Sequence, residues 1–171
     1  MIVERLAPVA ATLEASNHPY LTGPWTPLHA EFKFTLDPCA TAETAKCATY
    51  FTEADNGLEQ SWSGHTVFMN PPYGREVYAW TRKAREESEK GATVVGLLPA
   101  STDLAWWHDD VVGRAEVRYL RGRVRFLTGG PYRASGFFAS VVVIWRPPSR
   151  YEPEENKATL LPSSLSMRLK V

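Results

Sequence analysis

The sequence predicts an α/β protein in which a mostly parallel, doubly wound sheet is flanked by helices. Short apolar runs alternate with segments of helical periodicity, an order that requires crossover connections between parallel strands. Two of the runs end at unusual polar residues followed by proline, at Asp37 and at Asn70. Because ligands of such sheets bind beyond the carboxyl ends of the strands, we expect these two ends to frame the site.

Each predicted strand is a run of apolar, β-branched or aromatic residues that stops at turn residues. The predicted strands cover residues 32–36, a second segment that ends within residues 50–55, and residues 66–69, 93–98, 116–120 and 139–145. The first stops at Asp37-Pro38 and the third at Asn70. The last run is almost entirely apolar, which predicts a strand that is buried on both faces.

One helix is predicted clearly. After the third strand, Val77, Trp80 and Ala84 recur at helical spacing, with the charged residues largely off that stripe. Gly91 follows the stripe, and we expect it to close the helix as a C-terminal cap.

The composition excludes several classes of protein. The chain has 171 residues, of which 44% are hydrophobic and 22% charged, as in an ordinary globular domain. Lys+Arg 19 balance Asp+Glu 19, so any affinity for nucleic acid has to come from a local patch. Two cysteines, and four histidines without metal spacing, predict neither a disulfide scaffold nor a metal site. Without a membrane-length apolar run or a signal peptide, we expect a cytoplasmic protein without membrane contact.

Proline and glycine divide the chain into three segments. Residues 1–24 are predicted to form a short helix and a loop, and residues 25–146 the main domain. Residues 147–171 are rich in proline, charged and small residues, which predicts an extended or disordered tail. The oligomeric state stays open.

The most informative stretch is Asn-Pro-Pro-Tyr over residues 70–73. Two successive prolines stiffen the turn, so the Asn70 side chain and the Pro71 carbonyl are held in a fixed relation. That pair offers two acceptors for the two N–H donors of a planar amino group, such as the N6 group of adenine. Accepting both hydrogens localises the nitrogen lone pair toward an electrophile, and Tyr73 is placed to stack on the base. The structural alternative is a plain Pro-Pro turn capped by an aromatic residue.

Around this motif the chain resembles the phage-type DNA N6-adenine methyltransferases. The resemblance runs from about Trp25 to Trp145 and rests on FTLDPCATAETAKCATYFTEADNGLEQSWSGHTVFMNPPYGRE, GATVVGLLPASTDLAWWHD, AEVRYLRGRVRF and FFASVVVIW. It implies a Rossmann-like, S-adenosylmethionine-dependent catalytic domain in a bacterial or phage-infected cell. It also implies methyl transfer to adenine N6 in double-stranded DNA. The catalytic motif implied by the resemblance is Asn70, Pro71, Pro72 and Tyr73. A donor at a strand end cannot reach a stacked base, so the adenine has to be flipped out.

The resemblance also places the cofactor turn after the first strand. The resemblance implies cofactor contacts from Asn70 and from Asp37, Cys39 and Ala40 of this turn. The turn places Asp37 to pair with the methionine ammonium. It consists of small residues but lacks the glycine that is typical of a nucleotide loop. The structural alternative for Asp37 is a turn or helix-capping residue.

Two further cofactor contacts are predicted. A carboxylate about 16 residues after the first strand suits the ribose hydroxyls, and both Glu53 and Asp55 are candidates. Asp55 also begins an ordinary turn. Thr26 and Pro27 match a threonine-proline element that meets the cofactor carboxylate in related methyltransferases.

An arginine-rich stretch without acidic residues supplies the local basic patch. Its arginines are Arg118, Arg121, Arg123, Arg125 and Arg133. Guanidinium groups pair bidentately with phosphates, and Gly122 between two of them allows close approach. Phe126 and the loop after it are expected to wall the base pocket. Specificity is expected from Arg75, the segment after Pro99 and residues 129–130. A solvated edge strand is the structural alternative.

Three other functions stay open. Asn-Pro-Pro-Tyr also occurs in enzymes that methylate a protein glutamine, although those normally have a glycine-rich first motif. Cytosine-N4 methyltransferases more often have serine in place of the asparagine. A non-catalytic DNA-binding protein that kept the fold but lost the cofactor would also lack the glycine.

Overall fold

A computed structural model describes residues 25–127, 133–135, 139–148 and 159–161. The predicted helix and loop over residues 1–24, the loop at residues 129–130 and most of the tail lie outside these residues. In chain order the elements are α1 (Trp25–Phe32), β1 (Leu36–Asp37), β2 (Thr49–Tyr50), β3 (Thr66–Met69), α2 (Val77–Glu89), β4 (Thr93–Pro99), a π-helix (Trp107–Val111), β5 (Glu116–Leu120), β6 (Arg125–Leu127), β7 (Arg133–Ser135), β8 (Ser140–Trp145) and β9 (Thr159–Leu161).

Seven strands form one sheet in the order β2-β1-β3-β4-β8-β5-β9, and β6 pairs with β7 in a separate antiparallel pair. The strands β2, β1, β3 and β4 are parallel neighbours, and β9 is parallel to β5. Strand β8 lies between β4 and β5 and is antiparallel to both. The sheet is therefore mixed, and the prediction of a mostly parallel sheet was wrong. An apolar run buried on both faces has the same pattern in either direction, so β8 carries no signal of its orientation.

Local periodicity predicts the elements in the middle of the chain well. The predicted strands at residues 66–69 and 116–120 are confirmed as β3 and β5. The helix α2 buries its predicted stripe, and Gly91 follows it with a φ of 105°, as a C-terminal cap requires.

The predicted strand over residues 32–36 was wrong at its beginning. Phe32 ends α1, where the Lys33 N–H donates to the His29 carbonyl and Lys33 adopts a φ of 54°. Strand β1 is only two residues long. The aromatic residues that suggested a strand instead pack together, with the Phe32 and Phe34 rings 5.8 Å apart.

The two faces of the sheet carry separate apolar clusters, because successive strand residues point to opposite sides. Val67 and Met69 face the cluster that contains Trp80 of α2, whereas Phe68 faces the cluster that contains Trp25 of α1. Helices therefore cover both faces.

The strand order reverses between β1 and β3. From β1 the chain runs to β2 on one side, and it then returns to β3 on the other side of β1. In open α/β sheets the crevice at such a point, outside the carboxyl ends of the strands, is where ligands bind. Asp37 ends β1 and Asn70 follows β3, so both flank this crevice.

Glu87 joins α2 to the segment before β3. Its side chain is 1% exposed and accepts hydrogen bonds from the Trp62 N–H at 2.7 Å, from Lys83 Nζ at 2.8 Å and from Lys90 Nζ at 3.0 Å. Burial raises its pKa, but the hydrogen bonds from Lys83, the Trp62 N–H and Lys90 outweigh that effect and lower the pKa from 4.5 to about 2.

Glu87→Gln is expected to lower the free energy of unfolding at pH 7 by about 3 kcal/mol, the equivalent of roughly 2.5 pKa units. Because the folded-state pKa is depressed, this contribution is present above pH 4.5 and is lost as the pH falls toward 2. Urea denaturation between pH 3 and 7 measures it. Glu89→Gln, at an exposed position paired with Arg85, is the matched control. Equal stability of the two variants would contradict the prediction.

Candidate active site

The two polar strand ends are in contact. The Cys39 thiol, in the turn after β1, contacts the backbone of Asn70 after β3. Burial and the Asp37 charge raise the pKa of this thiol well above its usual value, while the contact with Asn70 favours the thiolate. The two predicted motifs are therefore neighbours at the carboxyl ends of β1 and β3.

Asp37 is a buried carboxylate held by backbone groups. Its side chain accepts hydrogen bonds from the Cys39 N–H at 3.4 Å and from the Lys46 N–H at 3.1 Å, and the residue is 4% exposed. Burial raises its pKa from 3.8 to about 6, against these two hydrogen bonds and the Lys46 charge, which lower it. Within the described ranges Asp37 forms no ion pair. A cation entering the crevice would therefore find a carboxylate that lacks a direct ionic partner.

The turn after β1 is held by two sets of hydrogen bonds. The Phe51 N–H donates to the Asp37 carbonyl at 3.0 Å, and the Ala40 N–H donates to the Phe51 carbonyl at 3.0 Å. A tight turn from Thr41 to Ala45, closed by a 2.9 Å bond between their backbones, returns the chain to Asp37. Ala40 is buried within this arrangement.

A glycine does approach this turn, but from another segment. Gly57 is buried, and a Cβ added to it would lie 2.1 Å from the Pro38 carbonyl oxygen. The loop after β2 therefore packs directly against the turn after β1, and a side chain at residue 57 would collide with that turn. Nothing local in the sequence links Gly57 to Pro38.

The Asn70 turn presents an unused acceptor. In the part of the chain that the structure describes, the buried Asn70 Oδ1 has no hydrogen-bond partner. Pro71 is buried and Pro72 is exposed. The buried Asn70 Oδ1 costs free energy because it lacks a donor among the described residues, and it suits a ligand that brings an N–H group.

Tyr73, two residues beyond Pro71, is half-buried, and its hydroxyl lies 3.4 Å from the Leu97 carbonyl. Burial raises the pKa of this hydroxyl, and a contact with Ser140 opposes the rise.

Asp55 and Glu53, the two candidates for the ribose contact, have different surroundings. Asp55 Oδ2 accepts hydrogen bonds from the Thr52 N–H at 2.9 Å and the Thr52 hydroxyl at 2.7 Å, which close a local turn. Glu53 is exposed. Thr26 and Pro27 are exposed near the start of α1.

The arginines of the predicted patch separate into two groups. Arg118 is engaged by Glu31 of α1 in a two-point ion pair at 2.6 and 2.7 Å, and also by Glu116, so its guanidinium is already paired with carboxylates of the protein itself. Arg121 and Arg123 are exposed just beyond β5, with Gly122 between them at a φ of 89°.

The remaining predicted DNA contacts lie on two other segments. Arg125 and Phe126 are backbone partners of Ser135 and Ala134 in the β6–β7 pair. Arg75 is exposed in the turn that leads from Tyr73 into α2.

The described residues hold no group of three or more His, Cys, Asp or Glu side chains that would suit a metal ion. None of their helices has the length and apolar character needed to cross a membrane.

Comparison with known proteins agrees with the motifs. The family model of DNA N-6-adenine-methyltransferases (Dam) matches residues 22–163. A DNA N-6-adenine-methyltransferase of Escherichia phage T1 is 29% identical over 111 residues, which make up 64% of this chain and 46% of that protein. The match thus spans less than half the length of this relative.

Proposed function

Because the chain belongs to the DNA N-6-adenine-methyltransferase (Dam) family, we propose that it methylates adenine N6 in double-stranded DNA. The proposal includes a Rossmann-like fold, S-adenosylmethionine as the methyl donor and a flipped-out target base. It rests above all on the buried Asn70 Oδ1, which has no partner in the described chain and lies at the point where the strand order reverses. An amino group with two N–H donors is the kind of ligand that this acceptor suits.

In the proposed mechanism, Asn70 Oδ1 and the Pro71 carbonyl accept the two hydrogens of the adenine amino group. These bonds localise the nitrogen lone pair and aim it at the reacting carbon. Pro72 stiffens the turn and Tyr73 stacks on the extruded base, which offsets part of the few kcal/mol that flipping costs. A strong general base is not required, since the proton can leave after the nitrogen has been alkylated.

The residues of the β1 turn fit S-adenosylmethionine, which when bound supplies an electrophilic methyl group. Asp37 is buried and its pKa is raised, so a cationic ligand group such as the methionine ammonium would stabilise the ionised carboxylate. Cys39 and Ala40 line the same turn. We assign the ribose hydroxyls to Glu53, because the Asp55 carboxylate is already engaged by Thr52.

The reaction is tested by incubating the purified protein with unmethylated duplex DNA and labelled S-adenosylmethionine, then digesting the DNA and identifying the labelled nucleoside. N6-methyladenine is the expected product. N4-methylcytosine would overturn the base assignment. Unlabelled DNA despite bound cofactor would point to a protein or RNA substrate, and absence of cofactor binding would point to the non-catalytic alternative.

We assign DNA contact to the exposed Arg121 and Arg123, and we extend this assignment to Arg75, Arg125 and Phe126. The double variant Arg121→Ala and Arg123→Ala is expected to weaken duplex binding for all sequences. It should also reduce the slope of log affinity against log salt by about 2, since each phosphate contact contributes about 0.9. Fluorescence anisotropy at several salt concentrations measures this slope.

Arg114→Ala is the control for this experiment, because Arg114 is exposed before the opposite end of β5. It should leave the salt dependence as it is in the unmodified protein. An unchanged slope in the double variant would place the DNA face elsewhere.

A further inference from the structure

Lys46 lies beside the buried carboxylate of the candidate site but does not pair with it. Its backbone N–H donates to Asp37 Oδ2 at 3.1 Å, and its side chain is half-buried between the buried residues Ala45 and Cys47. Within the described residues, the Lys46 ammonium has neither an ion pair nor a hydrogen bond. A half-buried cation without such a partner is costly unless something else offsets its desolvation.

The two charges are nevertheless close enough to act on each other. The charge of Asp37 favours the ammonium form of Lys46, and the charge of Lys46 favours the carboxylate form of Asp37. Burial opposes the charged form of both groups. The two opposite charges therefore act on each other without closing a direct ion pair within the described residues.

Elsewhere this protein closes its buried ion pairs tightly. Lys83 reaches Glu87 at 2.8 Å, and Arg85 reaches Asp110 at 3.1 Å. The separation of Asp37 from Lys46 is an exception among the described buried carboxylates. It occurs where the strand order reverses, which is the expected position of a ligand.

We propose that Asp37 and Lys46 form a zwitterion site, in which Asp37 takes the α-ammonium and Lys46 the α-carboxylate of an amino-acid moiety. This inference rests on the proposed function, since the amino-acid moiety is that of the methyl donor. Each ligand charge then meets a protein charge of opposite sign, and both desolvated side chains gain a charge-assisted hydrogen bond. Thr26, which the resemblance assigns to the same carboxylate, offers a hydroxyl but no charge, so Lys46 would supply the ionic part of the contact.

The test compares S-adenosylmethionine with its decarboxylated analogue, which keeps the ammonium, the sulfonium and the nucleoside but lacks the carboxylate. By calorimetry, the unmodified protein is expected to bind S-adenosylmethionine at least about 10-fold more tightly, the scale of one hydrogen bond to a charged group. Lys46→Met keeps the apolar stem and should bind both ligands with similar affinity. Lys33→Met removes an exposed lysine that precedes β1 and should keep the preference.

The ratio of the two affinities within one protein does not depend on how much of the sample is folded, so a modest loss of stability does not affect the result. Lys46→Gln is a second variant with the same expected result. If Lys46→Met keeps the full preference for S-adenosylmethionine, the zwitterion site is overturned while the proposed function stands. If the unmodified protein binds neither ligand, the proposed function fails, and this inference fails with it.

Discussion

Replacing Asn70 with alanine is expected to slow methyl transfer to DNA by at least about 10²-fold while leaving the protein at least as stable as before. In the proposed mechanism the Asn70 oxygen contacts the reacting amino group, and removing one such preorganised contact typically lowers turnover by about 10²–10³-fold. The same oxygen is buried and, in the described chain, unsatisfied. Its removal relieves a desolvation cost of about 1–3 kcal/mol in the free protein. Activity and stability should therefore change in opposite directions.

The measurements are single-turnover methylation of a duplex, thermal unfolding, and binding of S-adenosylmethionine by calorimetry. Cofactor affinity should stay within a few-fold, because the amino group of the base is the ligand of Asn70. Thr81→Ala is the contrasting control, since the buried Thr81 hydroxyl donates to Asp110 at 3.0 Å, away from the strand ends. That variant should unfold more easily yet keep its turnover. Unchanged turnover in Asn70→Ala would contradict the mechanism.

The parts of the fold that sequence predicted well are those with a clear period. The stripe of α2 and the run of β3 each repeat a single pattern over consecutive residues, and both elements formed at the expected positions. Strand β8 was predicted as a buried strand, but its direction was not, because direction depends on where the chain enters the sheet. The aromatic segment before β1 is ambiguous in sequence, and packing between α1 and the sheet decides its conformation.

The candidate site likewise contains residues that the sequence predicts and residues that it does not. Asn70 and its prolines form a local motif, so their importance is visible in four consecutive residues. Lys46 and Gly57 are brought back to the end of β1 by turns, and no spacing rule predicts those contacts. Arg118 is a third case, in which the sequence did not show the ion pair. It looked like part of a basic patch because its partner Glu31 lies 87 residues away in the chain.

Asp37→Asn is expected to change how stability depends on pH. Asp37 has a folded-state pKa of about 6 against 3.8 as the ordinary value, so the folded state binds the proton more tightly than the unfolded state. The contribution of Asp37 to the free energy of unfolding is therefore largest below pH 3.8. It falls by about 3 kcal/mol as the pH rises to about 6, since one pKa unit corresponds to about 1.4 kcal/mol. Asparagine does not titrate, so the variant should lose this decline in urea denaturation between pH 4 and 7. A decline that persists in the variant would contradict the assignment.

The same substitution is expected to remove the pH dependence of cofactor binding. A cationic ligand group needs the ionised carboxylate, so affinity for S-adenosylmethionine should be constant above about pH 6 and fall up to tenfold for each pH unit below it. At pH 7.5 Asp37→Asn should bind S-adenosylmethionine at least about 30-fold more weakly, because the variant loses both the charge and a hydrogen bond to a charged group. Its affinity should also no longer depend on pH in this range. Asp109→Asn, at an exposed carboxylate on the π-helix, is the control that should keep the unmodified profile. Calorimetry between pH 5 and 8 decides the matter, because a flat profile in the unmodified protein would show that no ligand cation meets Asp37.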